Sequence, residues 1–322
     1  MAPDNDCWLL QFVIEDGRCL TADFPASLFA FSHFPLPRNH MRPTGRLLHH
    51  NKRLDATDRS RVASKGADRS RHLPPPRGDA TKIHDSVAFI TGANRGIGLA
   101  FAQKLLAAGA RKVYAGARDQ KSITLEGTHP VRLDVTKPET ISAAASKYAD
   151  VNLLTNNAGI ALWTGFLAPN SVEAARAEME TNYFGPLLLS RAFAPILAKN
   201  GGGAIVNLLS ILSWVSVPSA GTYAASKAAA WALTNWLRTA LREQGTQVVG
   251  VHAGHVDTDM AKDLTLPKVT PADVVRQALR ALEAEQDEVL SDDWTRQVKA
   301  GLSAEPGIYL NYDPEPSPAA AR

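Results

Sequence analysis

The sequence predicts an α/β fold, in which one doubly wound parallel sheet, over residues 83–312, is covered by helices on both faces. Short apolar runs alternate in this region with segments of helical period that are ten or more residues long. Strands that alternate with such helices pair in parallel through right-handed crossovers. The composition, 45% hydrophobic and 21% charged, is that of an ordinary folded domain.

Each element is assigned from its own pattern. The first strand is an apolar run that ends in a glycine-rich turn, and apolar residues at helical spacing follow it. The second helix is an alanine-rich stretch between two apolar runs. The predicted strands are 86–91, 112–117, 130–134, 151–155, 203–209, 248–252 and 288–290, and the predicted helices are 97–108, 138–149, 172–198, 222–243 and 271–283.

Residues 1–82 are predicted to form a disordered or weakly structured leader. Between residues 38 and 77 the apolar residues follow neither a helical nor a strand period. Acidic residues near the start of the chain argue against a secretory signal or a transit peptide. Residues 313–322 have the composition of a frayed tail.

Charge and cysteine content restrict the partners of the domain. The net charge of +3 belongs to the first 80 residues, since 23 basic and 23 acidic residues follow them, and nucleic acid is therefore not an expected partner. Apolar runs stay short of the roughly 18 residues that span a bilayer, so no membrane partner is expected. No cysteine follows Cys19, which suits a cytoplasmic location. The pair His49 and His50 lacks companion ligands, so no metal site is expected.

A glycine turn joins the first strand to the first helix. Gly92, Gly96 and Gly98 stand where backbone N–H groups and a helix N-terminus could meet a pyrophosphate. Their spacing is G-x-x-x-G-x-G rather than G-x-G-x-x-G, and such a turn can also lack a ligand. The run Asn156-Asn-Ala-Gly159, at the end of the fourth strand, favours the nucleotide site because open sheets bind ligands at that edge.

A second group of residues indicates proton transfer. Tyr223 and Lys227, four positions apart on a predicted helix, share one face, and a cation there lowers the phenol pKa from about 10. The tyrosine could then act as a general acid or base. Ser210 ends a strand and brings a hydroxyl to the same sheet edge. Taken singly, these residues also fit a solvated helix face and an ordinary turn.

With these motifs in this order, residues 85–290 resemble the short-chain dehydrogenase/reductase family, whose members have a Rossmann fold. The resemblance implies an NAD(P)-dependent oxidoreductase in which Tyr223 protonates the substrate oxygen and Ser210 orients the carbonyl group. It also implies that Lys227 binds the nicotinamide ribose and that Asn182 holds a water in a proton relay. The expected cofactor-binding residues are Gly92, Asn94, Arg95, Gly96, Ile97, Gly98, Ala117, Arg118, Asp134, Val135, Asn157, Ala158, Gly159, Tyr223, Lys227, Gly254, Val256 and Thr258.

One motif departs from the family pattern. The family usually has Pro-Gly after the sixth strand, where this chain has Ala253-Gly254. Loss of the proline removes a fixed φ at a turn beside the nicotinamide, so we expect a working but looser site. His255 follows, and we expect it to be a turn residue rather than a second acid or base.

The end of the second strand favours NADP(H) over NAD(H). Ala117 stands where NAD-dependent members of the family carry Asp, and Arg118 follows it. Together with Arg95 in the glycine turn, Arg118 could form charge-assisted hydrogen bonds to a ribose 2′-phosphate. Asp119 is the opposing feature, because a small shift of the strand end would bring it to the ribose.

The substrate side is expected to be apolar, which fits a hydrophobic ketone, aldehyde or secondary alcohol. Trp163 and Trp214 are expected either to line the substrate site or to pack in the core. The family resemblance implies that helix 222–243 pairs between subunits, giving a homodimer or homotetramer. Two other functions share this fold: a nucleotide-binding regulator or scaffold without turnover, and a lyase or epimerase that uses the same tyrosine.

We predict that the leader is dispensable, because its composition cannot build a hydrophobic core. A chain that begins at Thr81 should keep the melting temperature and activity of the full chain. Thermal unfolding followed by circular dichroism, with an activity assay on both chains, measures this. Loss of soluble protein on truncation would show that the leader packs against the domain.

Overall fold

The computed structural model describes residues 10–13, 19–22 and 83–312. They fall in two separate units. In the first, β1 (Leu10–Val13) pairs antiparallel with β2 (Cys19–Ala22), a short ladder that the sequence analysis did not predict. The rest of the predicted leader and the predicted tail at 313–322 lie outside the described residues.

The second unit contains a seven-stranded parallel sheet, which confirms the predicted fold class. The strands are β3 (Val87–Thr91), β4 (Lys112–Ala117), β5 (His129–Arg132), β6 (Leu153–Asn156), β7 (Ala204–Leu208), β8 (Gln247–His252) and β9 (Glu288–Leu290). Their order is β5-β4-β3-β6-β7-β8-β9. The strands β3 to β5 are added toward one edge of the sheet, and the strands β6 to β9 are added toward the other edge. The switch point lies between the neighbouring strands β3 and β6, and ligands of open α/β sheets bind at such a point.

Helices cover both faces of this sheet. They are α1 (Gly96–Ala107), α2 (Pro138–Lys147), α3 (Ser171–Met179), α4 (Gly185–Lys199), α5 (Gly221–Ala240), α6 (Pro271–Glu283) and α7 (Asp293–Gly301). Ala88 and Ile90 of β3 pack into the core with α1 and α6. Val87 and Phe89 point the other way, into the core with α2, α4 and α5.

The predicted helix 172–198 is two α-helices joined by a π-helical turn, Glu180–Phe184. The α-helical hydrogen bond to the Asn182 carbonyl would come from Pro186, which has no N–H. The chain widens by one residue at this point. The wide turn carries Asn182, which is buried, and π turns of this kind are frequent at functional sites.

The carboxylate of Asp292 joins α7 to the loop after β8. It accepts hydrogen bonds from the Thr295 N–H (2.7 Å), the Thr295 hydroxyl (2.8 Å), the Gly254 N–H (2.9 Å) and the Ser291 hydroxyl (2.9 Å). Burial raises the pKa of Asp292, but the hydrogen bonds from Gly254 and Thr295 outweigh burial and hold this pKa below its ordinary value. The ionised form is therefore favoured in the fold.

Replacement of Asp292 by Ala should lower the free energy of unfolding by about 2–4 kcal/mol, the loss expected for a helix cap together with hydrogen bonds to a charged group. Because the folded pKa is lowered, this stabilisation is present above about pH 4 and is lost as pH falls through the folded value. Urea unfolding of both proteins at pH 7 and pH 3 measures it. Equal midpoints at pH 7 would contradict the assignment, and Asp292→Asn, which keeps one acceptor oxygen, should lose less.

Candidate active site

The glycine turn between β3 and α1 forms a cradle of bare backbone. Gly92 has φ +65°, a conformation that side chains rarely adopt. A Cβ on Gly98 would overlap the carbonyl oxygen of Gly92, so the helix approaches the turn too closely for any other residue. The cradle lies at the N-terminus of α1, where amide groups and the helix dipole favour an anion. Its shape fits a pyrophosphate.

The loop after β6 locks this turn in place. The Asn157 side-chain amide donates to the Thr91 carbonyl (2.8 Å) and the Gly92 carbonyl (3.1 Å). In return, the Thr91 hydroxyl accepts from the N–H groups of Asn157 (3.0 Å) and Ala158 (2.9 Å). The two strands at the switch point thus hold their loops together, and Gly92, Asn157 and Ala158, which the sequence predicts to bind the cofactor, lie in these two loops. The supporting role of Thr91 was not predicted, although its position next to the glycines signals it.

The other predicted cofactor-binding residues gather at the same edge of the sheet. Thr258 lies against the turn, since a Cβ on Gly96 would be 3.2 Å from its methyl group. Those in or next to the glycine turn are Asn94, Arg95, Gly96 and Ile97; those just beyond the ends of β4, β5, β6 and β8 are Arg118, Asp134, Val135, Gly159, Gly254, Val256 and Thr258. The structure therefore brings the predicted set to one edge.

The expected preference for NADP(H) depends on the charged residues that follow β4 and on Arg95 in the glycine turn. Ala117 is the last residue of the strand, as predicted, and Arg118 is exposed beyond it. The Asp119 carboxylate accepts from the Lys121 N–H (3.0 Å) and caps the following turn. The Arg95 guanidinium pairs with Asp259 (3.1 Å), both on the surface. Arg118 is therefore the more available cation, and Arg95 would have to exchange or share its partner.

Asp134 follows β5 in a polar setting. Burial raises the pKa of Asp134, but hydrogen bonds from the Thr136 hydroxyl and N–H, with the charges of Arg118 and Lys137, outweigh burial and lower this pKa. The carboxylate is thus held ionised and oriented by Thr136 next to the position expected for an adenine ring.

Ser210, Tyr223 and Lys227 meet beside the sheet edge. Ser210 lies two residues beyond β7 and begins a short 3₁₀ turn, where its hydroxyl oxygen accepts from the Leu212 N–H (3.1 Å). Tyr223 occupies the first turn of α5, close enough to Ser210 for the serine hydroxyl to lower the phenol pKa. The Lys227 ammonium donates to the Leu208 carbonyl (2.9 Å) and lies 5.8 Å from the centre of the Tyr223 ring. All three side chains are buried.

The expected lowering of the Tyr223 pKa is not found. Burial raises the pKa of Tyr223 to about 12, against the hydrogen bond from Ser210, and the Glu178 carboxylate adds to the rise. Burial also lowers the pKa of Lys227 to about 8. Apolar surroundings disfavour both charged forms, and the ammonium lies over the phenol ring. At neutral pH the Tyr223 phenol is therefore protonated.

Asn182 braces the loop after β6. Its side-chain oxygen accepts from the Ile160 N–H (2.9 Å), and its amide donates to the Ile160 carbonyl (2.9 Å) and the Ser226 hydroxyl (2.9 Å). The side chain is thus fully engaged with protein. The predicted role of Asn182 in holding a water therefore stays a prediction, and Pro186 leaves the Asn182 backbone carbonyl without an α-helical donor.

The two tryptophans considered for the substrate site have different positions. The Trp163 ring lies 5.8 Å from the Tyr223 ring and is 45% exposed. Trp214 instead stacks on His252, with ring centres 3.9 Å apart, so packing is its role. His255 is a half-buried turn residue whose ring lies against Trp294. Only Trp163 therefore fits a substrate wall.

The sequence analysis missed two buried polar residues. Glu178 is fully buried, and its carboxylate accepts from the Leu162 N–H (2.7 Å). His252 is fully buried beside the Ser210 carbonyl (3.2 Å), and burial lowers the pKa of His252 to about 3. Helical spacing could have signalled Glu178, because it lies one turn before Asn182. A single histidine inside an apolar strand gave no comparable signal.

Two further kinds of feature, a membrane-spanning helix and a metal-binding cluster, are not found in the described part of the chain. None of its helices combines the length and apolar character needed to cross a membrane. Over the same residues, no three His, Cys, Asp or Glu side chains cluster in a way that could hold a metal ion.

The doubly wound sheet with a glycine cradle at its switch point defines the class of nucleotide-binding α/β proteins, and comparisons with known proteins give the family. The family model for short chain dehydrogenases matches residues 86–268. Dehydrogenase/reductase SDR family member 7B of Xenopus tropicalis is 30% identical over 260 residues, which cover 71% of this chain and 81% of that protein. The chain belongs to the short-chain dehydrogenase/reductase family and is an NAD(P)-dependent member of it.

Solved structures of the family resemble this fold closely. A short chain dehydrogenase from Burkholderia cenocepacia, in complex with NADP, is 42% identical with a TM-score of 0.67, over 70% of this chain and 95% of that one. A short chain dehydrogenase/reductase from Burkholderia phymatum, in complex with NAD, is 25% identical with a TM-score of 0.64, over 73% and 98%. These two related structures therefore both hold a nicotinamide cofactor, NADP in one and NAD in the other.

Proposed function

We propose that this protein transfers a hydride between NADP(H) and a hydrophobic ketone, aldehyde or secondary alcohol, with Tyr223 as the general acid and base. The observation that carries the proposal is the burial of Ser210, Tyr223 and Lys227 in one place, with the Lys227 ammonium 5.8 Å from the centre of the Tyr223 ring. These groups lie at the sheet edge that also carries the glycine cradle. Proton donor and nucleotide cradle thus open onto the same region.

The protein's own groups supply the proton and the orientation. When bound, the reduced nicotinamide supplies the hydride that adds to the carbonyl carbon. In our proposal Ser210 donates a hydrogen bond to the carbonyl oxygen, and Tyr223 transfers its proton to that oxygen as the C=O bond becomes an alcohol. Lys227 stabilises the resulting phenolate, and a water on the Asn182 carbonyl connects Lys227 with solvent. Alcohol oxidation reverses each transfer.

We infer that the cofactor would be held by backbone on the pyrophosphate and by side chains at either end. The glycine cradle takes the pyrophosphate, Asp134 faces the adenine and Lys227 holds the nicotinamide ribose. Arg118 is exposed beyond the end of β4, which supports a role in binding a 2′-phosphate. One oxygen of the Asp119 carboxylate accepts from the Lys121 N–H, which turns Asp119 toward its own 3₁₀ turn. This favours NADP(H) over NAD(H).

The residues next to Tyr223 favour an apolar substrate. Leu162, Trp163 and Phe166 belong to the loop after β6 and are 47%, 45% and 59% exposed. The Trp163 ring lies 5.8 Å from the Tyr223 ring, and an exposed apolar loop of this kind suits a hydrophobic carbonyl compound rather than a sugar or a charged acid.

Assembly and location complete the proposal. Trp236 on α5 is 65% exposed, and Phe184 before α4 is 39% exposed, so neighbouring helices present apolar surface. We propose that this surface pairs copies of the chain into a homodimer or homotetramer. The absence of cysteine after Cys19 supports a cytoplasmic site of action.

Replacement of Tyr223 by Phe tests the mechanism, because it deletes only the hydroxyl. Turnover should fall by roughly 10²-fold or more, the size expected for general acid catalysis, while NADPH affinity stays nearly constant. Steady-state oxidation of NADPH with a panel of hydrophobic carbonyl compounds, and fluorescence titration with NADPH, measure the two quantities. Turnover within a few-fold of the parent would remove Tyr223 from the mechanism. A parent without turnover on any carbonyl would favour a regulator, lyase or epimerase.

Replacement of Arg118 by Ala tests the cofactor preference. It should weaken NADPH binding by about 1–3 kcal/mol, the value of a hydrogen bond to a charged group, and leave NADH binding almost unchanged. The double variant Ala117→Asp with Arg118→Ala adds an acceptor for the 2′-hydroxyl and repels the phosphate, so the preference should reverse. Titrations at one ionic strength are needed because phosphate recognition is salt-sensitive. Equal affinity of the parent for both cofactors would place Arg118 in solvent.

A further inference from the structure

The backbone of the loop after β6 is strained at the residue nearest Tyr223. Trp163 has φ +51°, a left-handed conformation that bulky residues seldom adopt. Such a conformation persists only where the surroundings hold it. It lies beside the proposed proton donor, with ring centres 5.8 Å apart and planes tilted by 40°. The strained residue therefore lies next to Tyr223, the proposed proton donor.

Hydrogen bonds hold the chain on both sides of Trp163. Before it, the Leu162 N–H donates to the Glu178 carboxylate at 2.7 Å. After it, the Thr164 carbonyl accepts from the Thr222 N–H (3.2 Å) and the Thr222 hydroxyl (3.1 Å). Thr222 directly precedes Tyr223 on α5. The loop is thus fixed to α3 and to the helix that carries the proton donor.

Glu178 and Asn182 act on this loop from one helical face. They are four residues apart, and each binds backbone of the loop: Asn182 binds both polar groups of Ile160, and Glu178 binds the N–H of Leu162. Glu178 is completely buried, and its second carboxylate oxygen lacks a hydrogen-bond partner among the described residues. A buried carboxylate with one unsatisfied oxygen is costly where only packing is needed. A role in placing the loop accounts for a carboxylate at this buried position.

We propose that Glu178 is a positioning residue that holds Trp163 in its left-handed conformation, and that the Trp163 ring so placed is a specificity-determining wall favouring flat aryl carbonyl substrates. The proposal rests on the proposed oxidoreductase function. A carbonyl group at the Tyr223 hydroxyl would carry its substituents past the partly exposed ring. Aromatic groups stack on such a ring at centre distances of about 4.5–7 Å, whereas saturated rings gain only contact area.

Two ketones of matched size test the substrate wall. Acetophenone has a flat ring, and cyclohexyl methyl ketone has a puckered ring of the same number of carbons. The parent should show a higher kcat/KM for acetophenone by about tenfold, mainly through KM, as expected for a stacking contact. Trp163→Leu, a change at a partly exposed position, should abolish this preference while NADPH affinity is unchanged. A preference that survives Trp163→Leu overturns the wall.

Two variants at Glu178 test the positioning role. Glu178→Leu fills the space without an acceptor, so it should lose the aryl preference although Trp163 is intact. Glu178→Gln keeps a carbonyl oxygen for the Leu162 N–H and should restore the preference to within about threefold of the parent. Melting temperatures identify a variant that fails to fold. Equal preference in the parent, Glu178→Leu and Glu178→Gln overturns the role of Glu178.

Fluorine NMR of 5-fluorotryptophan-labelled protein gives a readout that does not need turnover. The signal that disappears in Trp163→Leu belongs to Trp163. It should keep its position in Glu178→Gln, and shift or broaden in Glu178→Leu because the loop is released. An unchanged signal in Glu178→Leu overturns the positioning role. If the parent reduces neither ketone but reduces other members of the carbonyl panel, the substrate wall fails and the proposed function stands; if it reduces none of the panel, both fail. In either case this signal decides whether Glu178 holds Trp163.

Discussion

The hydrogen bonds between Thr91 and the loop after β6 are the interaction on which the rest of the structure depends. One hydroxyl oxygen accepts from two successive amides, and the Asn157 side chain returns two bonds to the chain at Thr91 and Gly92. These bonds join the two strands that flank the switch point of the sheet. They fix the glycine cradle relative to the loop that leads to the substrate side. The same hydrogen bonds thus fix the positions of the glycine cradle and of the loop after β6 relative to each other.

Burial sets the chemistry of the site more strongly than neighbouring charge does. Tyr223 and Lys227 lie in the same apolar environment, which opposes phenolate and ammonium alike and moves their pKa values toward about 12 and about 8. The phenol is therefore protonated at neutral pH, which is the form that the proposed general acid requires. The sequence pattern suggested the opposite direction for the tyrosine, because residue spacing gives the charge partner but not the desolvation.

Much of the fold could be predicted because its signals are local. Apolar runs, the glycine turn and helical periods gave every strand of the large sheet to within about two residues, and the end of β4 at Ala117 was right. The roles of Trp163 and Trp214 could not be separated, since both are aromatic residues that follow a strand. Their roles depend on what faces them: Trp214 meets His252 from β8, and Trp163 meets Tyr223 from α5. Tertiary partners of this kind leave no periodic trace in a sequence.

The turn after β8 shows how such partners replace a local device. Without a proline at position 253, the φ of that residue is not fixed by covalent geometry. The turn is held instead by the Asp292 carboxylate on the Gly254 N–H (2.9 Å) and by the Ile211 N–H on the Ala253 carbonyl (3.0 Å). Since Ile211 follows Ser210 directly, the second bond also ties the turn to the proposed catalytic serine. The turn that was expected to be looser without proline is therefore held by hydrogen bonds from two neighbouring segments. Through these bonds the turn and the segment that carries Ser210 form one hydrogen-bonded unit.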